Sequence, residues 1–112
     1  MKNILFVVLL IIGNVTILLS QTVYSCEYKS DADVKVYVTK YKSDADLVVY
    51  KCAYKSDAEG NNGLWYFVKY KSDAKKKIYF TEYKSDADIV IYFSEYKSDA
   101  GWQTKSKMHW MY

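Results

Sequence analysis

The sequence has no proline, one histidine, two cysteines and four glycines in 112 residues, and all 16 of its cationic residues are lysine. Without proline, bends must come from glycine or from side chains that bond the backbone. Without arginine there is no bidentate fork for phosphate or base edges, and a net charge of +3 makes no basic field. Nucleic acid is therefore not an expected partner. The lone histidine, His109, sits in Met108-His109-Trp110-Met111 near the end of the chain. A Ser-His-acid arrangement would have to single out one of six equivalent serines. His109 therefore reads as a packed or surface residue without a catalytic part, and the chain as not an enzyme. One histidine and two cysteines are also too few for a transition-metal site, and no cofactor is expected.

What is present begins with an apolar run. Lys2 precedes Ile4 to Leu19, which is apolar except for Gly13, Asn14 and Thr16, and Ser20-Gln21 then sets a small residue before a polar one. This is the layout of a secretory leader over residues 1–20, with a single domain at 21–112. The run is shorter than the roughly 20 residues of a spanning helix, so the exported chain is not expected to span the membrane. Cys26 follows Val-Tyr-Ser, which is not a lipoprotein signal. Export places Cys26 and Cys52 in an oxidising compartment, where one disulfide between them is the expectation and two buried thiols the alternative.

The motif Tyr-Lys-Ser-Asp-Ala occurs six times, starting at Tyr28, Tyr41, Tyr54, Tyr70, Tyr83 and Tyr96. The starts are 13, 13, 16, 13 and 13 residues apart, so the chain consists of two similar halves. The longer link contains Gly60-Asn61-Asn62-Gly63, the strongest turn signal in the molecule. Between motifs lie VYSCE, VYVTK, VYKCA, WYFVK, IYFTE and IYFSE. These segments are short, β-branched and aromatic, and they predict strands. The fold class is all-β: a compact repeat domain of about six or seven short strands joined by YKSDA turns.

On a strand, one face would carry Tyr37-Thr39-Tyr41 and its equivalents, always with a small central residue. That large-small-large face is the expected packed interior, with the motif tyrosine buried. The opposite face reads Val36-Val38-Lys40 or Ile78-Phe80-Glu82. Cys26 and Cys52 share one register position two repeats apart, which favours their bridge if alternate repeats are neighbours. In the motif, Ser and Asp are expected to cap the turn by accepting backbone N–H groups. Asp31, Asp44, Asp57, Asp73, Asp86 and Asp99 are then structural turn residues. Lys75-Lys76-Lys77 reads as a solvated strand end.

Tandem YKSDAD units, VY-type strands and the tail Tyr96-Lys97-Ser98-Asp99-Ala100-Gly101-Trp102-Gln103-Thr104-Lys105-Ser106-Lys107 resemble the septoil-knot domain family. The resemblance covers Val23 to Tyr112. It implies a small exported bacterial protein whose compact all-β domain is threaded into a deep torus-type knot. The family brings no activity, so no functional residue is carried over.

Four copies carry a second acid, at Asp31-Asp33, Asp44-Asp46, Asp57-Glu59 and Asp86-Asp88, and converging turns of this kind are a weaker candidate for calcium. The singular features of a repetitive chain are Trp65 after the link and Trp102 and Trp110 in the tail, which form the candidate binding patch. The functional expectation is an exported, non-enzymatic structural or binding module. The alternatives are an envelope glycan-, protein- or calcium-binding domain and, less favoured, a small hydrolase using Asp and Lys.

Overall fold

The computed structural model describes residues 20–112; the leader assigned to 1–20 lies almost wholly outside them. Each of the six segments between motifs is a strand, whereas Met108 to Met111, an apolar stretch that reads as a last strand, lies in a 3₁₀ helix, Lys105–Met111. The strands are β1 (Thr22–Ser25), β2 (Val34–Val38), β3 (Leu47–Lys51), β4 (Leu64–Phe67), β5 (Lys76–Phe80) and β6 (Ile89–Phe93), followed by a two-residue β7 (Gly101–Trp102). The order β4-β1-β5-β2-β6-β3 is closed by a further pairing of β3 with β4, which makes a six-stranded barrel. Every pairing around the barrel is parallel. β7 adds antiparallel to β3.

Parallel pairing changes what YKSDA must do. A hairpin turn joins antiparallel neighbours, whereas a parallel strand must be re-entered from its opposite end. Each motif is therefore a crossover running back along the outer wall. Cys26 to Asp33 illustrates the path. The Cys26 N–H donates to the Ile78 carbonyl at 2.7 Å, and the Asp33 N–H donates to Lys77 at 2.7 Å, so the connection straddles β5. Thr39 and Asp46 straddle β6, Val68 and Lys75 straddle β1, and Thr81 and Asp88 straddle β2 in the same way. Each crossover thus steps over one strand of the other half, and the halves interleave strand by strand.

The interleaving explains the longer link. Steps of two places carry the chain through β1, β2 and β3, and a further such step would return it to β1. The third crossover does reach β1: the Gln21 N–H donates to the Ala58 carbonyl, and Ser20 bridges Glu59. The chain then doubles back through Gly60 (φ 74°) and Gly63 (φ 84°) into the gap between β3 and β1. Those left-handed glycines supply the expected turn.

The interior reverses the sequence expectation. The inward face is the aliphatic one, in layers 13 residues apart along each half. Val23, Val36 and Val49 meet Trp65, Ile78 and Ile91, all wholly buried. Because the halves alternate around the barrel, the small residues of the first half sit between the large residues of the second. This alternation suits the packing of a narrow barrel. At the C-terminal mouth Phe67, Phe80 and Phe93 form a triangle with centroids 6.4–6.5 Å apart. The Lys51 ammonium stands 4.4 Å above the Phe93 ring, a cation–π contact. At the other end Met111 is fully buried as a plug, and its carbonyl accepts from Gln21 Nε2 at 3.2 Å.

The tyrosine face is outside. The six motif tyrosines are 63–69% exposed, not buried as their spacing suggested. Closure decides this: the inner radius holds two rows of aliphatic and phenyl groups, and the hydroxyl-bearing rings keep their polar tips in water on the wider outer wall.

Candidate functional site

The outer wall carries the chemistry that the repeat provides, and each motif residue has a definite job there. The turn is held by backbone, with no side-chain cap in any copy. The motif Asp N–H donates to the Tyr carbonyl at 3.1 Å in all six copies. The expected Ser and Asp capping is thus replaced by a 3₁₀ turn, which frees the Asp carboxylate.

That carboxylate faces the motif lysine of the neighbouring crossover. Lys71 pairs with Asp31 at 3.8 Å, Lys29 with Asp86 at 2.6 Å, Lys42 with Asp99 at 3.4 Å and Lys97 with Asp57 at 4.0 Å. Lys84 shares a cleft with Asp44, and Lys55 shares one with Asp73. Followed in order, the six positions make a continuous Lys–Asp belt around the barrel. Each exposed pair is weak, because solvent screens it.

The second acid has a separate task. Asp33, Asp46 and Asp88 each accept a backbone N–H at the start of a strand in the other half: Lys77 at 3.1 Å, Val90 at 2.8 Å and Lys35 at 2.8 Å. Asp46 is also 3.3 Å from Lys107 Nζ. The paired acids therefore do not converge on one point. Among the described residues no three His, Cys, Asp or Glu side chains are grouped to hold a metal. Lys75 opens the next strand, its N–H donating to Thr22 Oγ1 at 2.8 Å.

At the small central position, hydroxyls set the acid. Ser94 Oγ donates to Asp99 Oδ2 at 2.8 Å and accepts the Tyr96 N–H at 3.1 Å. Thr81 accepts the Tyr83 N–H at 3.3 Å. The Ser94 hydrogen bond, assisted by Lys42, holds Asp99 below the ordinary value of 3.8. The hydrogen bond and charge of Lys29 do the same for Asp86. A depressed folded pKa gives stability that is present above the unfolded value and lost as pH falls through the folded one. Thermal unfolding is thus expected to show a midpoint that drops as pH is lowered below about 3.8. Asp99→Asn should flatten that dependence, and an unchanged slope would remove the role given to these pairs.

The cysteines correct another expectation. Both are free and buried. β4 lies between β1 and β3, so the two Cys positions are two strand spacings apart, about 9 Å. That exceeds the roughly 7 Å Cα limit for a bridge. The register match was right and the neighbour relation wrong. Burial pushes both thiols above their ordinary 9.0, which keeps them protonated and slow to react. Non-reducing mass spectrometry should find two thiols, and iodoacetamide at pH 8 should label them slowly until the fold is opened by urea.

The three tryptophans do not form one surface. Trp65 is fully buried in the central layer. Trp102 and Trp110 are half-buried against the core. Trp102 Nε1 donates to the Asn61 carbonyl at 2.9 Å, and Gln103 Nε2 donates to the carbonyls of Lys42 and Ala45. Link and tail thus close the N-terminal end of the barrel. His109 is exposed, its Nδ1 3.1 Å from the Ser106 carbonyl oxygen.

Three clefts on the outer wall have the same make-up. One of about 430 Å³ holds Tyr66, Tyr70, Asp73 and Lys55. A second of about 430 Å³ holds Tyr37, Tyr41, Asp44 and Lys84. A third of about 420 Å³ holds Tyr79, Tyr83, Asp86 and Lys29. Each combines the two tyrosines of one repeat, its acid, and a lysine from the crossover alongside. Sequence reasoning identified the tyrosine pairs but turned them inward. The signal that could have placed them outside is the charge at the end of the opposite face, in Lys40, Glu82 and Glu95, which marks that face as running out of the barrel mouth.

A closed parallel barrel of interleaved repeats, with its tyrosines and its Lys–Asp belt outside, defines a repeat-built β-barrel class of domain. The family model of the 7(1) septoil knot domain matches residues 20–103. The match covers more than half of the chain, which belongs to the septoil-knot domain family. Neither a curated protein nor a solved structure gives a match. No described helix is long and apolar enough to cross a membrane.

Proposed function

We propose that this domain is an exported, non-enzymatic module that works by binding through its outer wall. One observation carries the reading. The six motif tyrosines are 63–69% exposed, and the turn uses their backbone carbonyls and not their rings. The rings are surplus to the fold yet present in every copy, and repeated exposed aromatic side chains suit recognition. The leader-like start of the chain supports export.

Catalysis is less well supported. The two aspartates with displaced pKa values are displaced downward, away from the range in which a carboxyl exchanges protons near neutral pH. The clefts are also replicated, with no copy singled out by a group the others lack the equivalent of.

The test is adsorption of the labelled domain to envelope preparations, beside a variant with all six motif tyrosines changed to serine. Exposed substitutions of this kind should leave the fold intact, checked by circular dichroism and the thermal midpoint. The wild type should adsorb saturably and the variant at least tenfold more weakly. Equal adsorption, or none by either protein, would refute the reading.

A further inference from the structure

The three outer clefts share more than composition. In each, two tyrosines of one repeat flank a carboxylate, and the ammonium of a lysine enters from the crossover alongside. The same four positions recur at Tyr24, Tyr28, Asp31 and Lys71, and the ion pairs of Asp57 and Asp99 complete the circuit. The wall therefore repeats one Tyr-Asp-Lys arrangement in the closed order of the strands, with a cleft at three of its positions.

We infer that these niches are subsites for an uncharged polysaccharide, one pyranose unit or short segment to each, bound multivalently around the barrel. This rests on the outer-wall binding reading above and names its ligand class.

Four features point to this ligand. First, each cleft of about 420–430 Å³ lies within the roughly 300–1,000 Å³ range of small-ligand sites. Second, exposed tyrosine rings offer flat apolar faces to the C–H face of a sugar, and their hydroxyls remain free to hydrogen-bond. Third, each niche holds carboxylate and ammonium together: Asp73 with Lys55 and Lys69, Asp44 with Lys40 and Lys84, and Asp86 and Glu82 with Lys29. A carboxylate accepts two hydroxyl donors and an ammonium supplies three donors, which matches a vicinal diol. Cations outnumber acids in two of these niches and acids outnumber cations in the third, so a polymer of one charge would be repelled at part of the wall and a neutral one is selected. Fourth, an extended peptide would need an open sheet edge for main-chain pairing, and closure of the six-stranded barrel leaves the two-residue β7 as the edge among the described residues.

The Lys–Asp pairs do not block the sites. They are half-exposed and individually weak, so a hydroxyl pair can insert between them at little cost. At Asp44 and Asp73 the neighbouring lysine lines the cleft without forming an ion pair among the described residues.

Such sites are weak singly and strong together. Linked subsites gain about 10²–10⁴ in avidity over one site. The experiment uses the full domain against immobilised dextran, mannan, galactan and xylan, with the matching mono- and disaccharides as competitors. At least one polymer should bind at least 100-fold more tightly than its disaccharide. Tyr70→Ser alone should weaken binding by about twofold or less. Tyr41→Ser, Tyr70→Ser and Tyr83→Ser together should give an intermediate loss, and all six substitutions more than tenfold, with folding verified by circular dichroism. Asp44→Asn with Asp73→Asn should also weaken binding. Periodate treatment of the polymer, which cleaves vicinal diols, should abolish it.

Two results would overturn the inference and leave the outer-wall reading standing. One is tyrosine-dependent adsorption to envelopes that survives periodate and has no counterpart on any polysaccharide. The other is polysaccharide binding lost on Trp102→Ala but untouched by the six tyrosine substitutions. Absence of any tyrosine-dependent adsorption would overturn both.

Discussion

Trp65→Ala is expected to cost about 3–5 kcal/mol, a large share of the roughly 5–15 kcal/mol that holds a domain folded. Trp65 is the largest fully buried side chain among the described residues and lies in β4, the strand between β1 and β3. Its ring packs edge-on to Phe67, with centroids 6.1 Å apart, and fills its part of the central layer. Truncation would leave a cavity at the seam that closes the barrel, and the flanking strands are tied by parallel pairing and cannot move inward to fill it. The indole Nε1 has no hydrogen-bond partner. Trp65→Phe therefore loses no hydrogen bond and should cost much less than the alanine change. Urea unfolding followed by far-ultraviolet circular dichroism measures both. Equal costs for Phe and Ala would contradict the volume argument.

Gly63→Ala is expected to be nearly as severe, about 3 kcal/mol or more. Gly63 has φ 84°, where a Cβ costs roughly 1–2 kcal/mol by itself. A Cβ built there would also lie 2.2 Å from the Val48 carbonyl oxygen. That oxygen belongs to strand backbone, which is not free to retreat. The Gly63 carbonyl accepts the Tyr50 N–H at 2.8 Å, so any shift of the residue would break the β3–β4 closure. Gly60 also has positive φ, but the nearest atom to its Cβ position is the flexible end of Asn62 at 3.7 Å. Gly60→Ala should cost about 1–2 kcal/mol. The two midpoints should separate clearly, and equal losses would show that the contact with Val48 is not what distinguishes them.

Most of the local structure was legible in the residues. The 13-residue spacing, the β-branched segments and the Gly-Asn link located all six barrel strands and the break between halves, because strand propensity and glycine turns are local effects. The motif was correctly read as a joint. The joint itself was misjudged: YKSDA reads equally well as a hairpin turn or a crossover, and only the direction of the next strand separates them. The tryptophans show the same limit. Singularity in a repetitive chain marked Trp65, Trp102 and Trp110, but it marked the seam and the plug where a repeating barrel has to start and stop.

By itself the sequence determined the period, the strands, the two halves and the two faces of each strand. Tertiary closure decided which face turned inward. Both faces are apolar enough to be buried, so alternation alone leaves the choice open. Closing six parallel strands narrows the interior, and the Val rows of one half fit between the Ile, Phe and Trp rows of the other. The tyrosines are left on the wide outer wall. Interleaving also set the neighbours, placing β4 between the two cysteines and bringing each motif lysine to an aspartate of the other half. Such pairings depend on the order of strands around a ring, which no local pattern encodes.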